Sequence, residues 1–107
     1  MPRLAANTSF LFLEHEFLDR FAAARRAGFR AVEFHFPYAY EPERVAEALQ
    51  RAGLELVLFN MPPGDWAKGD RGIAADPARV GEFQDGVGRA IEYARALGAP
   101  RLNCLAG

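Results

Sequence analysis

The sequence predicts an α/β fold in which short parallel strands alternate with helices. Three segments indicate it, because each ends a helix on a glycine and then begins an apolar strand: RRAGFRAVEFHFP (25–37), QRAGLELVLFNMP (50–62) and RALGAPRLNCLAG (95–107). Glycine closes a helix without steric cost because it adopts the left-handed conformation. Short, mostly apolar strands separated by helices are typical of a parallel sheet that helices cover. The predicted order is β-α-β-α-β-α-β in one unit spanning 1–107.

The individual elements follow from apolar periodicity and end signals. The first strand is expected within LAANTSFLF, and the later strands are AVEFHF, ELVLFN and RLNCL. Phe17, Leu18, Phe21 and Ala22 form the apolar stripe of the first helix, and Val45, Leu49 and Ala52 form that of the second. Asp76 and Pro77 are expected to open the third helix, as an N-cap and the proline favoured after it. The stripe of that helix comprises Val80, Phe83, Val87, Ile91, Ala94 and Leu97.

Two architectures share this order, a doubly wound sheet and a (β/α)₈ barrel. No GxGxxG motif follows the first strand, which disfavours a dinucleotide-binding doubly wound sheet. A barrel needs about 250 residues, so the 107 residues are expected to form its first half, with the helices on the outer face. The first and fourth strands would then each have an open edge. Because open edges recruit further strands, we expect a homo-oligomer.

Composition excludes several classes of protein. The 13 Lys and Arg residues against 14 Asp and Glu residues disfavour nucleic acid as a partner, since phosphate binding relies on clustered basic side chains. The one cysteine, Cys104, permits no internal disulfide, and no Cys/His cluster has zinc-ligand spacing. No stretch reaches the roughly 18 apolar residues of a membrane helix. The N-terminus lacks the apolar core of a signal peptide. We therefore expect a cytoplasmic protein that binds neither nucleic acid nor membranes.

Candidate site residues lie where the predicted strands end, because ligands of parallel βα folds gather at the carboxyl ends of the strands. Those positions hold Asn7, Glu33, Asn60 and Asn103. Glu33 either faces a ligand or is paired within the sheet, since a buried unpaired carboxylate is costly. The asparagines either orient a substrate hydroxyl or carbonyl, or cap the loops that follow. His35 alternates with Glu33 on one strand and is more typical of a packing residue.

The loop within FNMPPGDWAKGDRGIA (59–74) carries more chemistry than a connection needs. Arg71 is its main candidate, because a planar guanidinium suits the carboxylate of a small acid. The alternative for Arg71 is a surface ion pair with Asp70 or Asp65. Trp66 is expected to wall the pocket rather than to move protons.

Four segments together resemble the hydroxypyruvate isomerase family of the xylose isomerase-like TIM-barrel superfamily. They are ANTSFLFLEHEFLDRF, GFRAVEFHFPY, FNMPPGDWAKGDRGIA and FQDGVGRAIEYARALGAPRLNCLAG, and the resemblance covers essentially the whole chain. It implies an isomerase that interconverts hydroxypyruvate and 2-hydroxy-3-oxopropanoate (tartronate semialdehyde) through an enediol. The alternative is a 2-oxo-tetronate isomerase or another sugar isomerase or epimerase of the same superfamily. The implied partner is a small 2-oxo or hydroxy acid.

The resemblance also implies a divalent metal, Mg²⁺ or Mn²⁺, and two glutamates that move the proton. In that family these groups come from the second half of the barrel. No catalytic residue and no metal ligand is therefore expected within 1–107, and the chain alone is expected to be inactive. The front half of the pocket, with a substrate-binding role, is expected to comprise Asn7, Glu33, Asn60, Trp66, Arg71 and Asn103.

Two other functions are alternatives to the isomerase. One is a non-catalytic half barrel that self-associates or binds a small acid. The other is a DNA-repair nuclease, as in the endonuclease branch of the same superfamily. The near-neutral charge and the short loops after the first two strands disfavour the nuclease.

Overall fold

A computed structural model describes residues 2–107. Four strands, β1 (Ala5–Asn7), β2 (Ala31–Glu33), β3 (Glu55–Asn60) and β4 (Leu102–Asn103), form one sheet in sequential order. Each strand pairs in parallel with the next, so the predicted parallel order is confirmed. The connecting helices are α1 (Arg20–Arg26), α2 (Pro42–Ala52) and α3 (Val80–Leu97). Within the described residues, no helix combines the length and apolar character that crossing a membrane requires.

The helices end at the predicted glycines. Gly53 and Gly98 are the C-caps of α2 and α3, with φ angles of 67° and 68°. Gly28 comes one residue after Ala27, the C-cap of α1, and has a φ angle of 103°. Residues other than glycine rarely adopt such backbone angles, so these glycines fix where each helix stops and the next strand starts.

The apolar core lies between the sheet and the helices. Phe21, Phe34 and Phe59 are its largest fully buried side chains, and Phe34 contacts both of the others. Burying each phenylalanine stabilises the fold by about 1.5–3 kcal/mol. The core also contains smaller residues from every layer, namely Ala6, Ala24, Val32, Val45, Leu49 and Leu56.

A β-bulge decides which side of β3 faces the helices. Val32 pairs with Leu56, but Glu33 pairs with Leu58, so β3 carries one extra residue at this point. Leu56 and Phe59 are both buried, although residues three apart in a regular strand point to opposite faces. The bulge therefore lets both enter the core and turns Leu58 and Asn60 to the other face of the sheet.

The first strand is shorter than predicted. The Asn7 side chain accepts a hydrogen bond from the Ser9 amide (2.9 Å), and the Asn7 carbonyl accepts from the Phe10 and Leu11 amides. Such a local turn competes with strand pairing. Residues 8–10 consequently form a turn, and Phe12, just beyond it, has a φ angle of 63°.

Two details of the predicted helix faces are wrong. In α3 the buried residues are Ala90 and Tyr93, whereas Val80 and Ile91 are exposed, because the Tyr93 hydroxyl donates to the Tyr40 carbonyl and turns that side of the helix inward. In α1, Ala22 is exposed while its two successors in the sequence are buried. Asp76 accepts from the Ala78 amide as an N-cap, but it caps a 3₁₀ turn (Pro77–Arg79) that precedes α3.

The cleft loop, defined as residues 61–79 between β3 and α3, is tied to the segment that follows β4. Gly72 forms an antiparallel bridge with Ala106, and the Ala75 amide donates to the Ala106 carbonyl (2.9 Å). A Cβ atom on Gly72 would collide with the Leu105 carbonyl group. The glycine thus allows the close approach of the two segments.

Substituting two glycines of this loop should separate backbone strain from loss of that contact. Gly69 and Gly72 have φ angles of 103° and 106°, but only Gly72 has a neighbour where a Cβ atom would lie. Gly69→Ala should lower the free energy of unfolding by about 1–2 kcal/mol, and Gly72→Ala by about 3 kcal/mol or more. Denaturant unfolding measures both. Equal losses would contradict the close approach.

Candidate functional site

A cleft of about 280 Å³ opens at the carboxyl edge of the sheet. It brings together five of the six predicted substrate-binding residues, which are Asn7, Glu33, Asn60, Trp66 and Asn103. The remaining wall is formed by Phe34, His35, Leu58 and Leu105. His35, expected as a packing residue, therefore lines the cleft as well. The strands deliver these side chains because parallel strands end at one edge.

Two larger hollows lie elsewhere, but neither gathers the strand-end side chains. One, of about 540 Å³, is a groove between α1 and α2, where the charged residues include the ion pair of Arg51 with Glu47. The other, of about 590 Å³, lies at the opposite ends of the strands, near Arg30 and Glu55. Volume alone does not identify a ligand site, so we take the cleft with convergent polar groups as the candidate.

Glu33 and Asn7 form the first polar pair of the cleft. They are register partners across β1 and β2, and the Asn7 amide donates to Glu33 Oε1 at 3.1 Å. Among the described residues, Glu33 is in none of the ion pairs, so the alternative of a salt bridge is not what the structure shows. The carboxylate keeps capacity to accept further hydrogen bonds from a ligand.

Asn60 and Asn103 form the second polar pair. They are register partners across β3 and β4, and Asn103 Nδ2 donates to Asn60 Oδ1 at 3.1 Å. The Tyr38 hydroxyl donates to the Asn60 carbonyl at 2.6 Å, and burial raises the pKa of that phenol, which keeps it protonated. The Asn60 side chain accepts through its oxygen and so retains both amide N–H groups as donors. One end of the cleft thus offers a carboxylate and the other offers amide donors.

An aromatic row borders the cleft. Phe10 meets His35 edge-on at 5.0 Å between ring centroids, and the His35 amide donates to the Ser9 hydroxyl at 2.8 Å. Phe36 packs against Trp66 at 5.1 Å. This row places apolar surface beside the polar pairs, as pockets for small ligands commonly do.

Arg71 lies next to the cleft rather than in its wall. Its guanidinium stacks on the Trp66 ring at 3.6 Å from the centroid, and Nη1 donates to the Trp66 and Asp70 carbonyls. The surface ion pair considered for Arg71 is not among those of the described residues, because Asp70 pairs with Arg79 instead. The substrate-binding role of Arg71 stays a prediction.

The contact between Asp70 and Arg79 was not identified from the sequence, which pointed to Asp70 only as the alternative partner of Arg71. Asp70 Oδ2 accepts from Arg79 Nη2 at 2.8 Å and from the Asp65 amide at 2.6 Å. Arg79 also contacts Glu82 through two hydrogen bonds. The only signal in the sequence was an Asp and an Arg nine positions apart around a proline turn, which does not reveal a contact.

The described residues do not fit a carboxylate-held divalent metal. No group of three or more His, Cys, Asp or Glu side chains in residues 2–107 could hold a metal ion. The cleft itself supplies one carboxylate, Glu33, and one imidazole, His35. We therefore derive no step through a metal for this part of the chain.

Comparison with known proteins identifies the family. Residues 21–107 match the family model described as a xylose isomerase-like TIM barrel. The chain belongs to the xylose isomerase-like TIM barrel family. Its sheet is accordingly part of a barrel, and the doubly wound alternative is excluded.

Several members of this family align along the whole chain. It is 54% identical over 107 residues to hydroxypyruvate isomerase of Escherichia coli (strain K12), and 52% identical over 107 residues to 2-oxo-tetronate isomerase of Cupriavidus necator. A crystal structure described as AP endonuclease, family 2, from Brucella melitensis superposes with a TM-score of 0.97 at 50% identity and 100% coverage of this chain. The chain spans 42% and 41% of the two isomerases and 42% of the crystallised protein. The predicted resemblance to hydroxypyruvate isomerases is confirmed.

Acid titration should reveal the Asp70 contact. Hydrogen bonds from Arg79 and from the Asp65 amide, with Arg71 also nearby, hold the pKa of Asp70 below its usual range, and Arg79 likewise lowers the pKa of Glu82. A lowered folded-state pKa means that the stabilisation is complete above the ordinary Asp value of about 3.9 and is lost as the pH falls through the folded-state value.

Asp70→Asn removes this titrating group while keeping the size of the side chain. We expect its free energy of unfolding to fall less steeply than that of the wild type as the pH is lowered below about 4. Urea unfolding at a series of pH values measures both slopes. Identical slopes would show that the contact contributes nothing to the acid dependence.

Proposed function

We propose that this chain supplies the substrate-binding side of a sugar-acid isomerase. The observation that carries the proposal is the meeting of two polar pairs, Asn7 with Glu33 and Asn60 with Asn103, around one cleft at the carboxyl edge of the sheet. The relatives named hydroxypyruvate isomerase and 2-oxo-tetronate isomerase support it. The finer assignment is hydroxypyruvate, with a 2-oxo-tetronate as the alternative substrate.

The reaction needs no oxidant or reductant. Hydroxypyruvate loses a proton from C3 and gives an enediol, and the return of a proton at C2 gives 2-hydroxy-3-oxopropanoate. The C2 carbonyl oxygen takes up a proton and the C3 hydroxyl gives one up, so atoms and electrons balance. A protein must therefore hold two neighbouring oxygens and the carboxylate in one plane while protons move.

The residues of the cleft suit that binding task. Glu33 can accept a hydrogen bond from a substrate hydroxyl, and the amides of Asn60 and Asn103 can donate to the oxygen on which charge develops. We assign the substrate carboxylate to Arg71, which lies on Trp66 at the rim. Trp66 would cover the bound acid and reduce its contact with water.

The proton-moving glutamates and any divalent metal belong, in this proposal, to segments of the enzyme other than residues 1–107. Residues 1–107 alone should then bind the acid without converting it. Pairing of two copies through the open edges of β1 and β4 remains a proposal for the isolated chain.

Substitution of Arg71 tests the assignment in an isomerase of full barrel length that carries these residues. Arg71→Lys should lower kcat/KM for hydroxypyruvate roughly 10- to 100-fold, because a charge-assisted bidentate contact contributes about 1.5–3 kcal/mol. The melting temperature should barely change, since the side chain is exposed. Arg51→Lys, on the outer helix α2, is the matched control and should be neutral. A large drop in melting temperature with unchanged kinetics would make Arg71 a structural brace.

A nuclease is the second candidate, because the similar crystal structure is described as that of an AP endonuclease. The balance of 13 basic and 14 acidic residues opposes it, since binding to DNA depends on clustered positive charge. Binding to a duplex with an abasic site, measured at increasing salt, decides between the two. Affinity that falls steeply with salt, together with strand cleavage, would favour the nuclease over the isomerase.

A further inference from the structure

Trp66 lies at the cleft and belongs to a turn whose first and last residues are hydrogen-bonded to each other. The turn begins at Asp65 and includes the 3₁₀ segment Trp66–Lys68. The Asp65 carbonyl accepts from the Asp70 amide at 3.0 Å, and the Asp65 amide donates to Asp70 Oδ2 at 2.6 Å. These reciprocal bonds make residues 65–70 a single compact unit that carries Trp66.

Arg79 connects this turn to the start of α3. Its Nη2 donates to Asp70 Oδ2 at 2.8 Å, while its Nε and Nη2 donate to the two oxygens of Glu82. Glu82 lies in the first turn of α3, so Arg79 bridges a long helix and the turn. The bridge is the side-chain link between α3 and the turn that carries Trp66.

Asp70 has little room to move. A Cβ atom on Gly64 would lie 2.5 Å from Asp70 Oδ2 and 2.8 Å from Ile73, and Gly64 has a φ angle of 89°. The backbone at Gly64 therefore packs directly against the carboxylate. A carboxylate confined on three sides, by Gly64, the Asp65 amide and Arg79, holds one position.

The same contact affects the charge of Arg71. Asp70 immediately precedes Arg71, and Asp65 is also in the turn, yet the ion pairs of the described residues join Asp70 to Arg79 and Asp65 to Lys68. Arg71 donates through Nη1 to two backbone carbonyls, and its Cζ lies over the Trp66 ring. Its guanidinium consequently forms no salt bridge with a carboxylate among residues 2–107.

We propose that Asp70 and Arg79 are positioning residues that hold the Trp66–Arg71 stack at the cleft, and that their salt bridge keeps Asp70 from forming one with Arg71. Arg79 acts by forming a salt bridge with the Asp70 carboxylate, which would otherwise pair with the adjacent Arg71. The proposal rests on the proposed function, because the ligand assigned to Arg71 is the carboxylate of the acid. It makes the cleft loop a preformed wall, so that little ordering of this loop is needed when the acid binds.

The first experiment measures the environment of Trp66 in the absence of any ligand. Trp66 is the one tryptophan of the 107 residues, so its emission and its quenching by acrylamide report on this turn. Arg79→Gln should shift the emission to longer wavelength and raise the quenching constant. Glu82→Gln is the matched control, because it removes the other partner of Arg79 and leaves the contact with Asp70. It should retain the wild-type signal, because Arg79 is itself the N-cap of α3 and still joins the helix to Asp70.

The second experiment measures how the charge of Asp70 affects substrate binding, in an isomerase of full barrel length that carries these residues. Arg79→Gln leaves Asp70 available to Arg71 and should raise KM for hydroxypyruvate about 10-fold with little change in kcat. The double variant Asp70→Asn/Arg79→Gln has no carboxylate at 70 and should recover the part of the KM change that comes from the charge of Asp70, although the positioning contact is still absent. A merely structural role would instead make the double variant no better than Arg79→Gln.

The outcomes separate this inference from the proposed function. Unchanged Trp66 emission and quenching in Arg79→Gln would overturn the positioning role. Failure of the double variant to recover KM would overturn the shielding of Arg71 from Asp70. Absence of any turnover of hydroxypyruvate by the unsubstituted enzyme would instead contradict the proposed function, while the Trp66 measurements would still decide the positioning role.

Discussion

The register between neighbouring parallel strands is the constraint on which the rest of this structure depends. A slip by one residue would turn every side chain of a strand to the other face of the sheet. The bulge opposite Glu33 makes use of this property in β3, where it lets Leu56 and Phe59 share the core and leaves Asn60 facing the cleft. Without that extra residue, either a phenylalanine would face solvent or Asn60 would enter an apolar layer, and each would cost stability.

The two halves of the candidate site are held in different ways. The polar pairs on the strands are fixed by the backbone ladder and by the core beneath it. The Trp66–Arg71 stack depends on the cleft loop, which the bridge between Gly72 and Ala106 and the contact between Asp70 and Arg79 keep in place. Binding groups that are held before the ligand arrives lose less conformational entropy on binding. The long loop therefore serves as a wall of the site as well as a connection.

The fold was predictable from local signals, because glycine-closed helices and short apolar strands each have a distinct pattern. The strand-end residues Asn7, Glu33, Asn60 and Asn103 were predictable for a related reason, since parallel strands end at one edge. The bulge in β3, the inward turn of Tyr93 and the partner of Asp70 were not predictable. Each depends on a contact between residues that are distant in the sequence or unrelated by periodicity, and a single sequence carries no record of such contacts.

The most direct test of the strand-end cleft as the substrate site is to find where the acid binds. The side-chain amide signals of Asn7, Asn60 and Asn103, with the indole N–H of Trp66, can be followed in ¹H–¹⁵N NMR spectra of the 107-residue chain while hydroxypyruvate is added. We expect saturable shifts at these four groups, and no such shifts when acetate replaces hydroxypyruvate. Shifts confined to the groove between α1 and α2, or no saturable shifts at all, would contradict the claim that the acid binds at the strand ends.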